Sequence, residues 1–411
     1  MKYLGQASIT RLALASTCLV LSTPAVSAED GPQATVSSFK LDGAVRFWLE
    51  SLSWNDQRKG AFEFDTARLG FKYDDGRLLA AGRERYYHYT SRQTGADKGA
   101  DMLFNEYLWA GYRFADKSEL HLGQDRMSFG LLPYASHNFF FSMAYYAGYE
   151  DTYATGVGYT RKDGGLSTSL AFYPSDGRHL LSWASDTTVL DGLDSVRYSN
   201  HLMRSYGREE KDTAVARLAY ALPLAGGKAE IGASLLRGRL AAANPALASG
   251  VRDAGALHFS GEFGRLGLQL ETIRYRNKFA GNGSAAGAWS GACDNDCVII
   301  GAFGFTNRLA ARGNIDIANL SYKIPGSLGP FTDFVLYNDW SRLRKSAAGY
   351  ADSYQNVTGL QLVSGKWVVL LDLARGTNQP YLSPVFGDAL AAGGGARSSG
   401  RRFDITFGYY F

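Results

Sequence analysis

The sequence predicts an all-β protein, a closed antiparallel β-barrel that spans a membrane with about sixteen strands. Three observations carry this expectation. Apolar and polar residues alternate along nearly the whole chain, in runs near the ~9–11 residues that a tilted membrane-spanning strand needs. Aromatic residues make up 13% of the chain, with 48 Gly and only 10 Pro, a profile of many short strands with aromatic girdles and glycine turns. The chain ends in FDITFGYYF, where Phe403, Ile405, Phe407, Tyr409 and Phe411 share one face of an extended segment. Five large apolar groups at a terminus would invite aggregation in water. They make sense if the strand is paired and that face meets lipid.

Residues 1–28 read as a secretory signal peptide. Lys2 and Arg11 precede an apolar run from Leu12 to Leu21, and Val26-Ser27-Ala28 offers the small residues of a cleavage site. Lipid attachment at Cys18 is the competing reading, but Ala15-Ser16-Thr17 fits it poorly. Residues 29–411 would then form the barrel. Cleavage leaves 41 basic against 39 acidic side chains, because the leader holds two of the 43 basic residues and none of the acids. This balance excludes a typical nucleic-acid binder, which carries a basic excess. No run of 18 apolar residues follows position 28, so no transmembrane helix is expected.

The strands follow in order. FKLDGAVRFWLE places Phe39, Leu41, Val45, Phe47 and Leu49 opposite Lys40, Asp42, Arg46 and Glu50. FEFDTARLGFKYD places Ala67, Leu69, Phe71 and Tyr73 opposite Arg68, Lys72 and Asp74, and the turn Asp74-Asp75-Gly76 leads to RLLAAGRERYYHY. MLFNEYLWAGYRF and SELHLGQDR come next, then YATGVGYT with LSTSLAFY, and AVARLAYAL with AEIGASLL. ALHFSGEF, LGLQLETIRY, IDIANLSYKI, FTDFVLYNDW, NVTGLQLVS, WVVLLDLA and the terminal strand complete sixteen segments. Eighteen is the alternative count. Short turns of Gly, Asp, Lys and Pro alternate with mostly longer loops, the asymmetry of an outer-membrane barrel. An even count puts both termini on one side, and a lipid core demands that the last strand pair with the first. A soluble β-sandwich would also alternate, but gives no reason for the terminal strand.

Charge on inward positions suggests how such a barrel would act. Arg46, Arg68, Arg83 and Arg85 share the inward parity and one height on three adjacent strands, at ~3.3 Å per residue. They form a candidate basic ladder, where a narrow lumen focuses their field. Glu230, Glu262, Glu271, Asp333, Asp339 and Asp372 make the far wall acidic, so a transverse field is expected. Glu63, Asp65 and Glu84 break the alternation, which calls for bulges or interface positions there. Cys293 and Cys297, in GACDNDC, are expected to form a local disulfide; the acids between them also permit a metal site, weakly, since no His is near. No metal or cofactor is expected. No GxSxG, HExxH or phosphate-loop pattern occurs, and His121 and His258 fall on inward strand faces, so no enzyme is expected. With only about ten residues between cleavage and the first strand, a plug domain is not expected either.

The stretches ARLGFKYDDGRLLAAGRERYYHY (67–89), LHLGQDRMSFGLLPY (120–134) and the terminal GYYF resemble Gram-negative outer-membrane porins. The second is similar to the G-Q-x-x-x-x-F-G-L stretch of phosphate-selective porin O/P-like proteins. The resemblance implies a homotrimer in the outer membrane, in contact with the lipid bilayer and lipopolysaccharide, and a constriction loop folded inward after the fifth strand. Here that loop is 127–151, with Tyr134, His137, Tyr145, Tyr146, Glu150 and Asp151 as candidate constriction residues. It is richer in Phe and Tyr than a polar porin eyelet. Two functions remain open: a passive diffusion channel for small hydrophilic or anionic solutes, or a surface barrel whose long loops, 175–212, 277–306 and 376–401, bind partners in adhesion.

Overall fold

Alternation with a period of two forces strands whose two faces meet different media, and sixteen such strands form. The computed structural model describes residues 37–90, 99–177, 181–186, 192–224, 226–243, 245, 247–279, 296–385, 387–391 and 397–411. The first seven strands are β1 (Ser38–Leu52), β2 (Ala61–Asp74), β3 (Leu78–Thr90), β4 (Gly99–Arg113), β5 (Glu119–Arg126), β6 (Tyr153–Asp163) and β7 (Leu166–Ser175). The loop after β5 holds one helical turn, α1 (Met143–Tyr146). Short strands β8 (Ser182–Ala184) and β9 (His201–Leu202) precede β10 (Arg208–Leu224), β11 (Gly227–Ala242), β12 (Gly250–Phe263) and β13 (Leu266–Lys278). A hairpin of β14 (Cys297–Ala302) and β15 (Phe305–Ala310) follows. The remaining wall is β16 (Arg312–Ile324), β17 (Asp333–Lys345), β18 (Ser353–Ser364), β19 (Trp367–Thr377) and β20 (Ser399–Tyr410).

Each long strand pairs antiparallel with the next, β7 with β10 and β13 with β16, and β20 returns to β1. The result is a closed sixteen-stranded barrel. At the seam Gly43 and Phe411 exchange backbone hydrogen bonds of 2.9 and 3.1 Å. A Cβ on Gly43 would lie 2.3 Å from the Phe411 ring, so glycine lets the terminal aromatic lie flat on β1. The outward positions are apolar and exposed, among them Phe39, Leu122 and Leu235 at 63, 68 and 69%. Left in water they would forfeit roughly 1.5–3 kcal/mol each. A lipid medium removes that cost.

Four short strands carry no alternation and lie outside the sixteen expected segments. β5 has 8 residues against 15 in β4, so the upper part of β4 lacks a partner there. β8 supplies one, with Leu103 opposite Trp183. β9, β14 and β15 form a separate three-stranded sheet. The stretches 175–212 and 277–306 are therefore not simply long surface loops: each holds strands, and residues 208–212 begin β10. Cys297 lies in that small sheet, buried and disulfide-bonded; Cys293 and the leader 1–28 fall outside the described residues.

One of the parity breaks, Asp65, is a bulge residue, and a second bulge falls across from Glu84. The β1–β2 register shifts at Arg46/Phe47, where Asp65 is the extra residue, and the β3–β4 register shifts at Arg83/Glu84, where Glu106 is extra. Glu84 itself lies opposite Leu69, on the outward face. Glu63 faces in and binds Arg58 at 2.5 Å.

Candidate channel constriction

The chain leaves β5 at Arg126 and crosses the lumen to the opposite wall. Backbone groups of this loop find side chains there: Gly130 N–H donates to Ser234 (3.0 Å), Leu131 N–H to Glu271 (3.1 Å) and Met143 N–H to Ser341 (3.0 Å). Asn319 and Arg252 donate to the carbonyls of Ala135 and Gly148 at 2.8 and 2.7 Å. Asp339 accepts from His137 N–H at 2.6 Å and from the Asn138 amide at 2.7 Å, while the His137 ring stacks on Tyr337. A buried loop must satisfy its backbone groups in this way, and each such bond is worth ~0.5–1.5 kcal/mol net.

These tethers correct the expectation of an acidic far wall. All six acids face inward, but Glu271 and Asp339 hold the loop, Asp372 accepts from the Tyr337 hydroxyl, and Glu230 binds Arg217 and His258. Only Glu262 and Asp333 stay exposed among them. Nor does Glu150 face the passage. It is 3% exposed, accepts from Ala135 N–H and from the Ser142 backbone and hydroxyl, and burial raises its carboxyl to about 7.

Between the loop and the wall of β1–β4, β19 and β20 lies a cavity of about 570 Å³. It gathers Arg46, Arg68, Arg83 and Arg85 with Tyr134, His137, Tyr145, Tyr146 and Asp151, but not Glu150. Arg126 and Arg402 also line it, as do Phe139, Tyr198, Phe303 and Tyr381. Phe303 comes from the tip of the β14–β15 hairpin and meets Tyr87, Phe104 and Tyr198 at ring distances of 5.1, 5.5 and 5.6 Å. A second element thus narrows the lumen. Inward parity marks Arg402, and Arg126 ends a strand, so both could have been added to the ladder; nothing in the hairpin sequence shows its direction.

Most of these arginines are already neutralised. Arg46 binds Asp65 at 2.6 Å, Arg85 binds Glu106 at 3.0 Å, and Arg83 reaches Asp42 at 2.9 Å. Arg126 pairs with Asp151 at 2.8 Å, and Arg402 with Asp404 and Glu50 at 2.8 and 2.9 Å. Arg68 differs. Among the described residues it makes no ion pair, its Nε has no hydrogen-bond partner, and its guanidinium lies 5.4 Å from the centre of the Tyr410 ring. It stands directly across from Arg85, a like-charge opposition that favours an anion nearby. Aromatic rings cover the others: Arg46 lies 3.8 Å from the Phe139 centroid and Arg85 4.7 Å from that of Tyr198.

Solved structures share this architecture. The chain is similar to OmpT, an outer-membrane protein of Vibrio cholerae in its trimer form, with TM-score 0.53, 12% identity and coverage of 91% of this chain and 99% of that one. It is similar to the anion-selective porin of Comamonas acidovorans, with TM-score 0.54, 15% identity, and 91% and 100% coverage. It is also similar to the outer-membrane channel DcaP of Acinetobacter baumannii, with TM-score 0.55, 14% identity, and 91% and 97% coverage. At such identities the likeness is one of fold: the chain has the sixteen-stranded fold of outer-membrane porins and channels. No family model matches the sequence, and no curated protein matches it.

Proposed function

We propose that this chain is a porin of the Gram-negative outer membrane, a passive channel for small hydrophilic solutes with a bias toward anions. The observation that carries the reading is Arg68, an unpaired cation on the wall of a cavity narrowed by the inward loop. Selectivity follows the charge at the narrowest level, and paired side chains there contribute dipoles more than net charge. A single uncompensated arginine in a partly dry lumen is worth of order 1 kcal/mol. Fold similarity to an anion-selective porin and to an outer-membrane channel supports this assignment. The trimer form of one neighbour supports a homotrimer, and the G-Q-x-x-x-x-F-G-L stretch supports a likeness to the phosphate-selective O/P-like porins. The leader 1–28 would direct export.

Planar-bilayer recording of the refolded protein tests this. Stepwise currents, with a reversal potential displaced toward the anion side in a salt gradient, are expected. A folded barrel that gives no current steps would refute the channel.

A further inference from the structure

Narrowing a lumen needs bulk, not rings, yet the inward loop turns rings toward the passage. Tyr134 and Phe139 stay 42 and 37% exposed although they line the cavity inside the barrel. The guanidinium of Arg46 sits 3.8 Å from the Phe139 centroid. Tyr134 meets Phe141 edge to face at 6.1 Å, and Phe141 stacks on Tyr145 at 4.4 Å. Rings left open in a wet cavity forgo the gain of burial, and a flat apolar guest would supply it.

The same cavity holds an arginine without a carboxylate. Of the six arginines that line it, five pair with acids and, among the described residues, Arg68 does not. Arg68 donates no hydrogen bond to the described residues either. The register sets Tyr410, Ala44, Arg68 and Arg85 in one row across β20, β1, β2 and β3. Ala44 is too short to cover the guanidinium, and the Tyr410 ring stays 5.4 Å away. From the loop side, Tyr134 lies within electrostatic reach of Arg68. Cation and exposed rings thus face one space of about 570 Å³, the size of a small-molecule site.

We infer that the constriction takes an aromatic monoanion, an aryl carboxylate that sets its carboxylate on Arg68 and its ring among Tyr134, Phe139 and Tyr410. A guanidinium takes a carboxylate through paired N–H donors, and offset or edge-on rings take the aryl group. Phosphate fits poorly. Its acceptor oxygens point to every side, one guanidinium satisfies only some of them, and rings leave the rest without donors. A carboxylate without a ring gains nothing from the exposed aromatic faces, and an uncharged ring leaves Arg68 without a partner. This cargo rests on the channel reading above and deepens it.

Full-length folded protein in planar bilayers tests this through the block that an added solute imposes on chloride current. Benzoate should block at a half-blocking concentration about tenfold below that of acetate, benzamide or inorganic phosphate. Acetate has the charge alone and benzamide the ring alone, so the series reads the site without any variant. In Y134S/F139S benzoate should need about tenfold more, with acetate as in wild type. In R68Q benzoate should weaken likewise, with benzamide unchanged. Equal half-blocking concentrations for benzoate and acetate overturn the proposal, as does phosphate blocking more tightly than benzoate; both leave the channel standing. Benzoate block unchanged in both variants places the site elsewhere and also overturns it. Absence of current steps refutes the channel itself. Saturation-transfer NMR of benzoate with the same protein in micelles then decides on the cavity: a signal lost in R68Q upholds the aryl site, and no signal from wild type overturns it.

Discussion

Asp65 and Glu106 reach the lumen at β-bulges, and each takes up an arginine that strict alternation would leave free. Asp65→Asn should release Arg46 and raise the anion-to-cation permeability ratio by roughly twofold to fivefold, since an added charge is worth about 1 kcal/mol there. Reversal potentials of variant and wild type in one salt gradient check this; an unchanged ratio would mean Arg46 is shielded by Phe139 alone. Glu150 gives a second test. Its carboxyl lies at about 7 in the folded loop against 4.5 when free, because burial outweighs three donors and Asp151 repels it. An acid raised in this way favours the folded loop at low pH, and that advantage disappears as pH rises from about 4.5 to about 7. The loss should approach roughly 3 kcal/mol. Near-ultraviolet dichroism of the packed tyrosines should therefore melt at lower temperature at pH 8 than at pH 5, with the difference reduced in Glu150→Gln. The inward parity of the four ladder arginines was legible in the sequence; their partners were not, because an extra residue in a strand resets the period that parity reading relies on.

The inward loop is the element on which the passage depends. It is held by side chains from β10 to β18, some of them about two hundred positions away in sequence, such as Asp339 on His137 and Asn138. Deleting residues 137–142 should open the cavity and raise single-channel conductance roughly twofold. A correctly folded deletion with unchanged conductance would place the loop outside the current path. All sixteen wall strands could be read from alternation, since each has one face on lipid and one on the lumen. β14, CVIIGA, is buried at every position, and β8 and β9 have 3 and 2 residues. Strands covered on both faces, or this short, give no period to detect. The acids of the far wall show the same limit: alternation gave their direction, and only the folded loop reveals that it uses them.

At the scale of the whole barrel, closure is the condition for existence in lipid, where an unpaired backbone group costs several kcal/mol. The β1–β20 seam runs from Ala44 opposite Tyr410 to Leu52 opposite Arg402, and Phe411 extends it onto Gly43. Phe411→Ser should lower the yield of heat-modifiable folded barrel, because the seam loses its exposed terminal aromatic; equal yields would show the seam indifferent to it. The chain is nearly neutral, and acids already pair with the other arginines of the cavity, so in the proposed channel Arg68 is the residue assigned the sign of selectivity. The most direct test is the reversal potential of Arg68→Gln beside wild type in a potassium chloride gradient. Near 0.1 M salt the Debye length is ~10 Å, so the arginine's field should reach across the constriction and weaken as salt rises. Wild type is expected to favour chloride and the variant to lose that preference, with the larger change in dilute salt. Identical reversal potentials in dilute salt would contradict the assignment of selectivity to this residue.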